Sequence, residues 1–257
     1  MSVAIVVDGG VSLLDDGADA PVHLVAMQLA PDGSAATAAP SPGAFAEAIA
    51  GADQGDGVLV VTVAGGLSAS YQAAYTACSL LDSDRCRLLD SQSATAGEGL
   101  VVAAAARAAA SGADLGAVER CARRAATTVR LAAQIASLDR LARGGRLPPG
   151  AAGLARRTGL RPIFELRGGE IRPQVPAFSL AGAERRIVAL LERTRPDVGR
   201  LHLAALHAGE PESAERLVAG VRALVEPATL ARCELSAVML AHTGPGVSGL
   251  SWWWEEA

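Results

Sequence analysis

Short apolar runs, each closed by a small or acidic residue, recur along this chain and limit the folds open to it. Val3–Val7 carries no charge and ends at Asp8-Gly9-Gly10; Val58–Val63 carries none and ends at Ala64-Gly65-Gly66. Runs of this length without polar alternation read as strands buried on both faces. Arg87–Leu89, closed by Asp90-Ser91, reads as a shorter strand, and His23–Leu29 as a further apolar run. Helical spacing fills the gaps: Gly43–Ala50, Ala69–Ser79, Gly99–Ala110 and Leu115–Ala126. Strands alternating with helices predict a parallel sheet flanked by helices.

The pattern changes after residue 126. Leu131–Ile135 is expected as a strand, with short helices at Ser137–Ala142 and Ala151–Thr158. Pro162–Leu166 and Glu170–Pro173, joined by Gly168-Gly169, have the form of a hairpin. Then follow an amphipathic helix, Ala183–Arg195, a strand, Leu201–His207, a helix, Glu212–Val225, and a strand, Cys233–Ala241. A hairpin among alternating elements predicts a mixed sheet. The expectation is an α/β protein of two domains, 1–126 with a parallel sheet and 127–257 with a mixed one. Trp252, Trp253 and Trp254 close the chain; a last strand with alternate rings on the core is favoured over a membrane-interface anchor.

Composition removes several functions. All 23 cationic residues are arginine, so no P-loop lysine, Schiff-base lysine or lysine base exists. The net charge of -4 argues against a surface for nucleic acid. Cys78, Cys86, Cys121 and Cys233 form no C-x-x-C pair and read as small core residues of a reducing compartment. The start shows no basic leader, and Leu100–Ala110 is too short to span a bilayer and is interrupted by Arg107. The expectation is a cytoplasmic protein with at most transient membrane contact.

Chemistry is expected where strands end, since ligands of open α/β sheets sit beyond the carboxyl ends of strands. Four loops qualify: Asp8-Gly9-Gly10, Ala64-Gly65-Gly66-Leu67-Ser68, Asp90-Ser91-Gln92-Ser93 and His242-Thr243-Gly244-Pro245-Gly246. Gly65 and Gly66 permit close backbone approach, and Ser68 sits where a helix begins, a place suited to a carboxylate or phosphate. An ordinary helix cap has the same residues. Asp90 and Ser91 are expected to order their loop. A small hydrolase or acyltransferase using Ser68 and His242 is the alternative, although Gly66-Leu67-Ser68-Ala69-Ser70 is not a G-x-S-x-G elbow. The four histidines are scattered, so no metal is expected.

The ordered motifs resemble the DegV family of fatty-acid-binding proteins. Val58 to Ala74 looks like the family's L-S-G-T-Y-Q-S-A strand and loop, and Thr37-Ala38-Ala39-Pro40-Ser41-Pro42-Gly43 like its T-S-Q-P-S-P-G motif. Leu89-Asp90-Ser91-Gln92-Ser93, with Gly97 and Gly99, matches I-D-S-x-S, and Leu138 to Arg146 matches L-x-x-L-x-x-G-G-R. Arg161-Pro162-Ile163, His207-Ala208-Gly209 and His242 to Gly246 complete the series in register. The resemblance implies a carrier that buries a long-chain fatty acid and presents its carboxylate to an ATP-dependent fatty acid kinase. It implies no catalytic residue and no cofactor. By the same resemblance Thr37 and Ser68 hold the carboxylate with His242 close by, Gly65 and Gly66 shape the loop, and Arg146 faces the head group or the kinase. The chain departs from the family at Val7-Asp8-Gly9-Gly10, which replaces T-D-S-T, at Ala38, Ala39 and Ala69, and in a shortened segment between Asp16 and Thr37.

Overall fold

The computed structural model describes residues 2–14, 21–29, 37–81, 84–135 and 160–256. The helices expected at 137–142 and 151–158, and Arg146 with its glycines, lie outside the described residues.

Two separate sheets form. The first holds β1 (Ala4–Asp8), β2 (Val22–Val25), β5 (Val58–Thr62) and β6 (Cys86–Asp90), all parallel, in the order β2-β1-β5-β6. The chain leaves β1 toward opposite edges of this sheet, so the crevice beyond β1 and β5 is its topological switch point. A small hairpin, β3 (Gln28–Leu29) with β4 (Thr37–Ala38), stands beside it. The second sheet is mixed. It contains β7 (Arg130–Gln134), β8 (Arg161–Arg167), β9 (Glu170–Ala177), β10 (Arg200–His207), β11 (Thr229–Glu234) and β12 (Ser248–Glu255). Its order is β11-β10-β12-β7-β8-β9, parallel only between β10 and β11.

Side chains alternate across each strand, and the alternation builds three cores. Ala4, Val6, Val58 and Val60 face α1 (Pro42–Ala52) and α2 (Ser70–Cys78). Ile5, Val7, Leu59 and Val61 face the other way, into a core shared with α3 (Thr95–Ala110), α4 (Leu115–Thr128) and one face of the second sheet. Leu201, Leu203, Leu250 and Trp252 form the far core with α5 (Leu180–Glu192) and α6 (Pro211–Arg222). The result is five layers, with α3 and α4 between the two sheets. Helix α3 is buried nearly all round, as its run of alanines permits. Trp252 is fully buried on one core and Trp253 on the other, the alternation expected of a last strand.

Two elements differ from the sequence expectation. Helix α3 begins at Thr95, not Gly99, and carries Gly97 and Gly99 inside it. A Cβ at Gly97 would collide with the Ser93 hydroxyl and one at Gly99 with the Ser12 carbonyl, so packing, not a turn, requires these glycines. The strand expected over Cys233–Ala241 is instead the end of β11 followed by α7 (Ala237–Thr243). Ser236 stops the strand: its hydroxyl accepts the Met239 N–H at 3.4 Å and caps the helix. His242 therefore sits in the last turn of a helix. Among the described residues the other expected elements, save the run His23–Leu29, which divides between β2 and β3, fall within a few residues of expectation, including the β8–β9 hairpin. Its Gly168 and Gly169 adopt φ 59° and 77°, as a two-residue hairpin turn with left-handed backbone requires.

Candidate functional site

The loops at the switch point are tied together by Asp8, the last residue of β1. Its buried carboxylate accepts the Gly10 N–H at 2.8 Å and the Val63 N–H at 3.0 Å. The Ser70 hydroxyl also donates to it, yet burial outweighs these donors and holds its pKa above the ordinary carboxylate value. One aspartate thus joins the ends of β1 and β5 and the start of α2. Asp90 performs a similar task at the end of β6, accepting the Gln92 N–H at 2.7 Å and the Gly65 N–H at 3.1 Å. The Gly65 amide is therefore spent on the end of the neighbouring strand β6. Gly66 is exposed and lies against the turn of the β8–β9 hairpin, whose Gly169 N–H donates to the Gln92 carbonyl at 2.9 Å.

Between these loops and the second sheet lies an apolar cavity, open at its mouth; the space between atoms there, open solvent included, is about 770 Å³. Val63 and Leu67 line it from the first sheet's side, Leu131, Phe164, Leu166 and Leu206 from the second sheet, and Val238 and Met239 from α7. Its polar groups are few: Ser68, Thr95, His242 and Thr243. The His242 Nε2 shares a hydrogen bond of 2.7 Å with the hydroxyl of Thr37, a residue of β4. Residues far apart in the chain thus meet: Thr37 and His242 are in direct contact, and Ser68 and His242 line the same cavity.

Ser68 bonds within its own loop. Its Oγ accepts the Ser70 N–H at 3.2 Å and lies 3.0 Å from the Ser70 hydroxyl. A serine hydrolase pairs its nucleophile with a base; here the contacts run from Ser68 Oγ to Ser70 and from His242 Nε2 to Thr37. Among the described residues no group of three or more His, Cys, Asp or Glu side chains is placed to hold a metal ion.

Thr95 was not singled out in the sequence. It is a β-branched residue at φ 50°, a left-handed backbone such residues rarely adopt. Its hydroxyl is buried without a hydrogen-bond partner among the described residues, and the residue lines the cavity. No local pattern marks it, since its conformation comes from the bonds its backbone makes to Gly10 and Ser12. A second cleft, at the opposite end of β10, is lined by Arg107, Arg124, Arg200 and Glu255 together with Trp253 and Trp254. No described helix is long and apolar enough to cross a membrane.

Known proteins share both sequence and fold with this chain. The family model named "Uncharacterised protein, DegV family" matches residues 1–255. A DegV domain-containing protein of Streptomyces coelicolor is 27% identical over 240 residues, which are 92% of this chain and 85% of that protein. One from Mycobacterium tuberculosis is 29% identical over 201 residues, 76% of this chain and 70% of its own length. Among solved structures, a DegV family protein from Thermus thermophilus named for fatty acid binding superposes with a TM-score of 0.89 at 24% identity, covering 99% of this chain and 100% of that one. A DegV family protein from Eubacterium eligens loaded with heptadecanoic acid gives 0.84 at 17% identity, with both chains fully covered (100% each).

Proposed function

From the premise that the chain belongs to the DegV family, we propose that it is a fatty-acid carrier whose cavity buries the acyl tail and whose polar mouth holds the carboxylate. The observation that carries this reading is the cavity itself: its lining is apolar save for Ser68, Thr95, His242 and Thr243, and His242 bonds to Thr37. Each buried methylene contributes about 0.8 kcal/mol, so a long tail supplies on the order of 10 kcal/mol before ordering costs. The carboxylate must find donors or its desolvation cancels much of that gain. Ser68 and Thr95, whose hydroxyl has no partner among the described residues, line the cavity, and Thr37 bonds to its His242; these are the donors at hand. A DegV family structure loaded with heptadecanoic acid and another named for fatty acid binding support the ligand class.

The finer part of the proposal is that the presented carboxylate is phosphorylated by a separate ATP-dependent kinase, with Arg146 facing the head group or that kinase. An arginine there would offset the added charge. The protein itself then supplies no catalytic group, no metal and no cofactor, and works in the cytoplasm.

Organic extraction of the purified chain followed by mass spectrometry tests the carrier reading. A stoichiometric long-chain fatty acid is expected, together with no turnover of a chromogenic ester. Ester hydrolysis abolished by Ser68→Ala, with no acid extracted, would favour a hydrolase. Mixing the loaded chain with a fatty acid kinase and ATP tests the second part: acyl phosphate should form only when all are present, and its absence would leave a carrier without that partner.

A further inference from the structure

Cys78 is the last residue of α2 and Cys86 the first of β6. Their sulfurs lie 2.8 Å apart, with the Cys86 thiol donating to Cys78, and neither is in a disulfide. Cys78 is half-buried and reachable from solvent, whereas Cys86 is buried behind it. The start of β6 is held in place beside the pair: Arg85 bridges Asp53 through Nε at 3.1 Å and Nη2 at 2.6 Å. Cys121 and Cys233 pair with no other cysteine.

We propose that Cys78 and Cys86 are a covalent modification site, a dithiol that closes to a reversible intramolecular disulfide on meeting a hydroperoxide. The Cys78 thiolate attacks the peroxide oxygen; an S–O bond forms, the O–O bond breaks, and hydroxide leaves to take up a proton. The Cys86 sulfur then attacks the Cys78 sulfur. The S–S bond forms, the S–O bond breaks, and the departing hydroxide leaves with the Cys86 proton as water. The thiols are oxidised to the disulfide, and the peroxide is reduced to water, or to water and an alcohol for an organic peroxide.

The order of attack follows from the contact. The hydrogen bond from Cys86 lowers the Cys78 pKa and so favours its thiolate, the reactive form. The same bond, with burial and the neighbouring charge, pushes the Cys86 pKa far up. Oxidation of Cys78 removes that charge and hydrogen bond, which frees Cys86 to act as the resolving thiol. The bond would fasten the far ends of the two elements that carry the cavity's loops. Helix α2 begins beside Ser68, and β6 ends at Asp90, which holds the Gly65 amide.

The test uses the whole chain. Treat it with hydrogen peroxide, alkylate in denaturant, and map the peptides. Cys78 and Cys86 should lose alkylation together and appear as one cross-linked peptide, with dithiothreitol restoring both; Cys121 and Cys233 should stay alkylated. In Cys86→Ser, whose hydroxyl can still donate to Cys78 but cannot form the disulfide, Cys78 should stop at a sulfenic acid that dimedone traps. Cross-links between chains, over-oxidation of Cys78 without a cross-link, or preferential loss of Cys121 would overturn the proposal, and the wild-type map decides this even if the variant folds poorly. Hydrogen exchange in the last turn of α2 should slow in the oxidised chain, and unchanged exchange there overturns the fastening.

Discussion

At the scale of single residues, the polar groups of the site divide into those that build loops and those left for a ligand. Asp8 and Asp90 spend their carboxylates on backbone amides, whereas the Thr95 hydroxyl has no partner among the described residues. Ser68 stands between these classes, because its bonds to Ser70 are local and a carboxylate could compete for its proton. Ser68→Ala should weaken fatty-acid binding by roughly 1.5–3 kcal/mol, the range for a hydrogen bond to a charged group; titration with a fluorescent long-chain acid reads this, and unchanged affinity would remove Ser68 from the head-group site. Glu98 presents a different problem. It is fully buried in the first turn of α3 with neither carboxyl oxygen hydrogen-bonded to a described residue. Burial first, then the charges of Asp8 and Asp90, raise its pKa well above the usual carboxylate range. A carboxyl with a raised folded-state pKa holds its proton longer in the folded than in the unfolded chain. Its contribution to stability is complete below the unfolded pKa and declines as pH climbs toward the folded one. Glu98→Gln should therefore flatten that decline and raise the urea midpoint at neutral pH, while changing little near pH 4. A loss of stability at pH 7 in the variant would contradict this account.

At the scale of elements, the strands that are buried on both faces were legible, because an uninterrupted apolar run has few other uses; Val3–Val7 and Val58–Val63 fell where expected. Cys233–Ala241 misled because a strand end and a short apolar helix look alike without a break in pattern, and the break is one serine. Ser236→Ala should cost about 1 kcal/mol through the lost cap. It should also reduce acyl affinity, since α7 carries His242 and the wall residues Val238 and Met239. Affinity unchanged alongside a lowered melting temperature would separate the helix from the site. The start of α3 was missed for the converse reason: Gly97 and Gly99 resemble a loop locally and are explained only by Ser93 and Ser12, which tertiary packing presses against them. Of the site, the loops and their histidine could be read in the sequence, but the Thr37–His242 contact spans 205 positions and has no local signature.

At the scale of the whole molecule, the two sheets rest on the same pair of helices. The sequence expectation placed a boundary after residue 126, and that position falls inside α4, whose Ala122, Ala125 and Ala126 belong to the shared core. A fragment of residues 1–126 would expose the face of α3 and α4 that meets Leu131, Ala204 and Trp253. It should lack a cooperative thermal transition and bind a hydrophobic dye, whereas the full chain should melt in a sharp transition; a fragment that melts cooperatively would show an independent unit. The cavity bears on this same core, because Leu131, Phe164, Leu166 and Leu206 are at once its walls and members of the shared cluster. On the carrier reading, the gene then encodes an unfinished interior, and the missing piece is supplied by the lipid pool of whichever cell makes the protein. A change of expression host or growth medium becomes, for this chain, the equivalent of a core mutation made without touching the DNA.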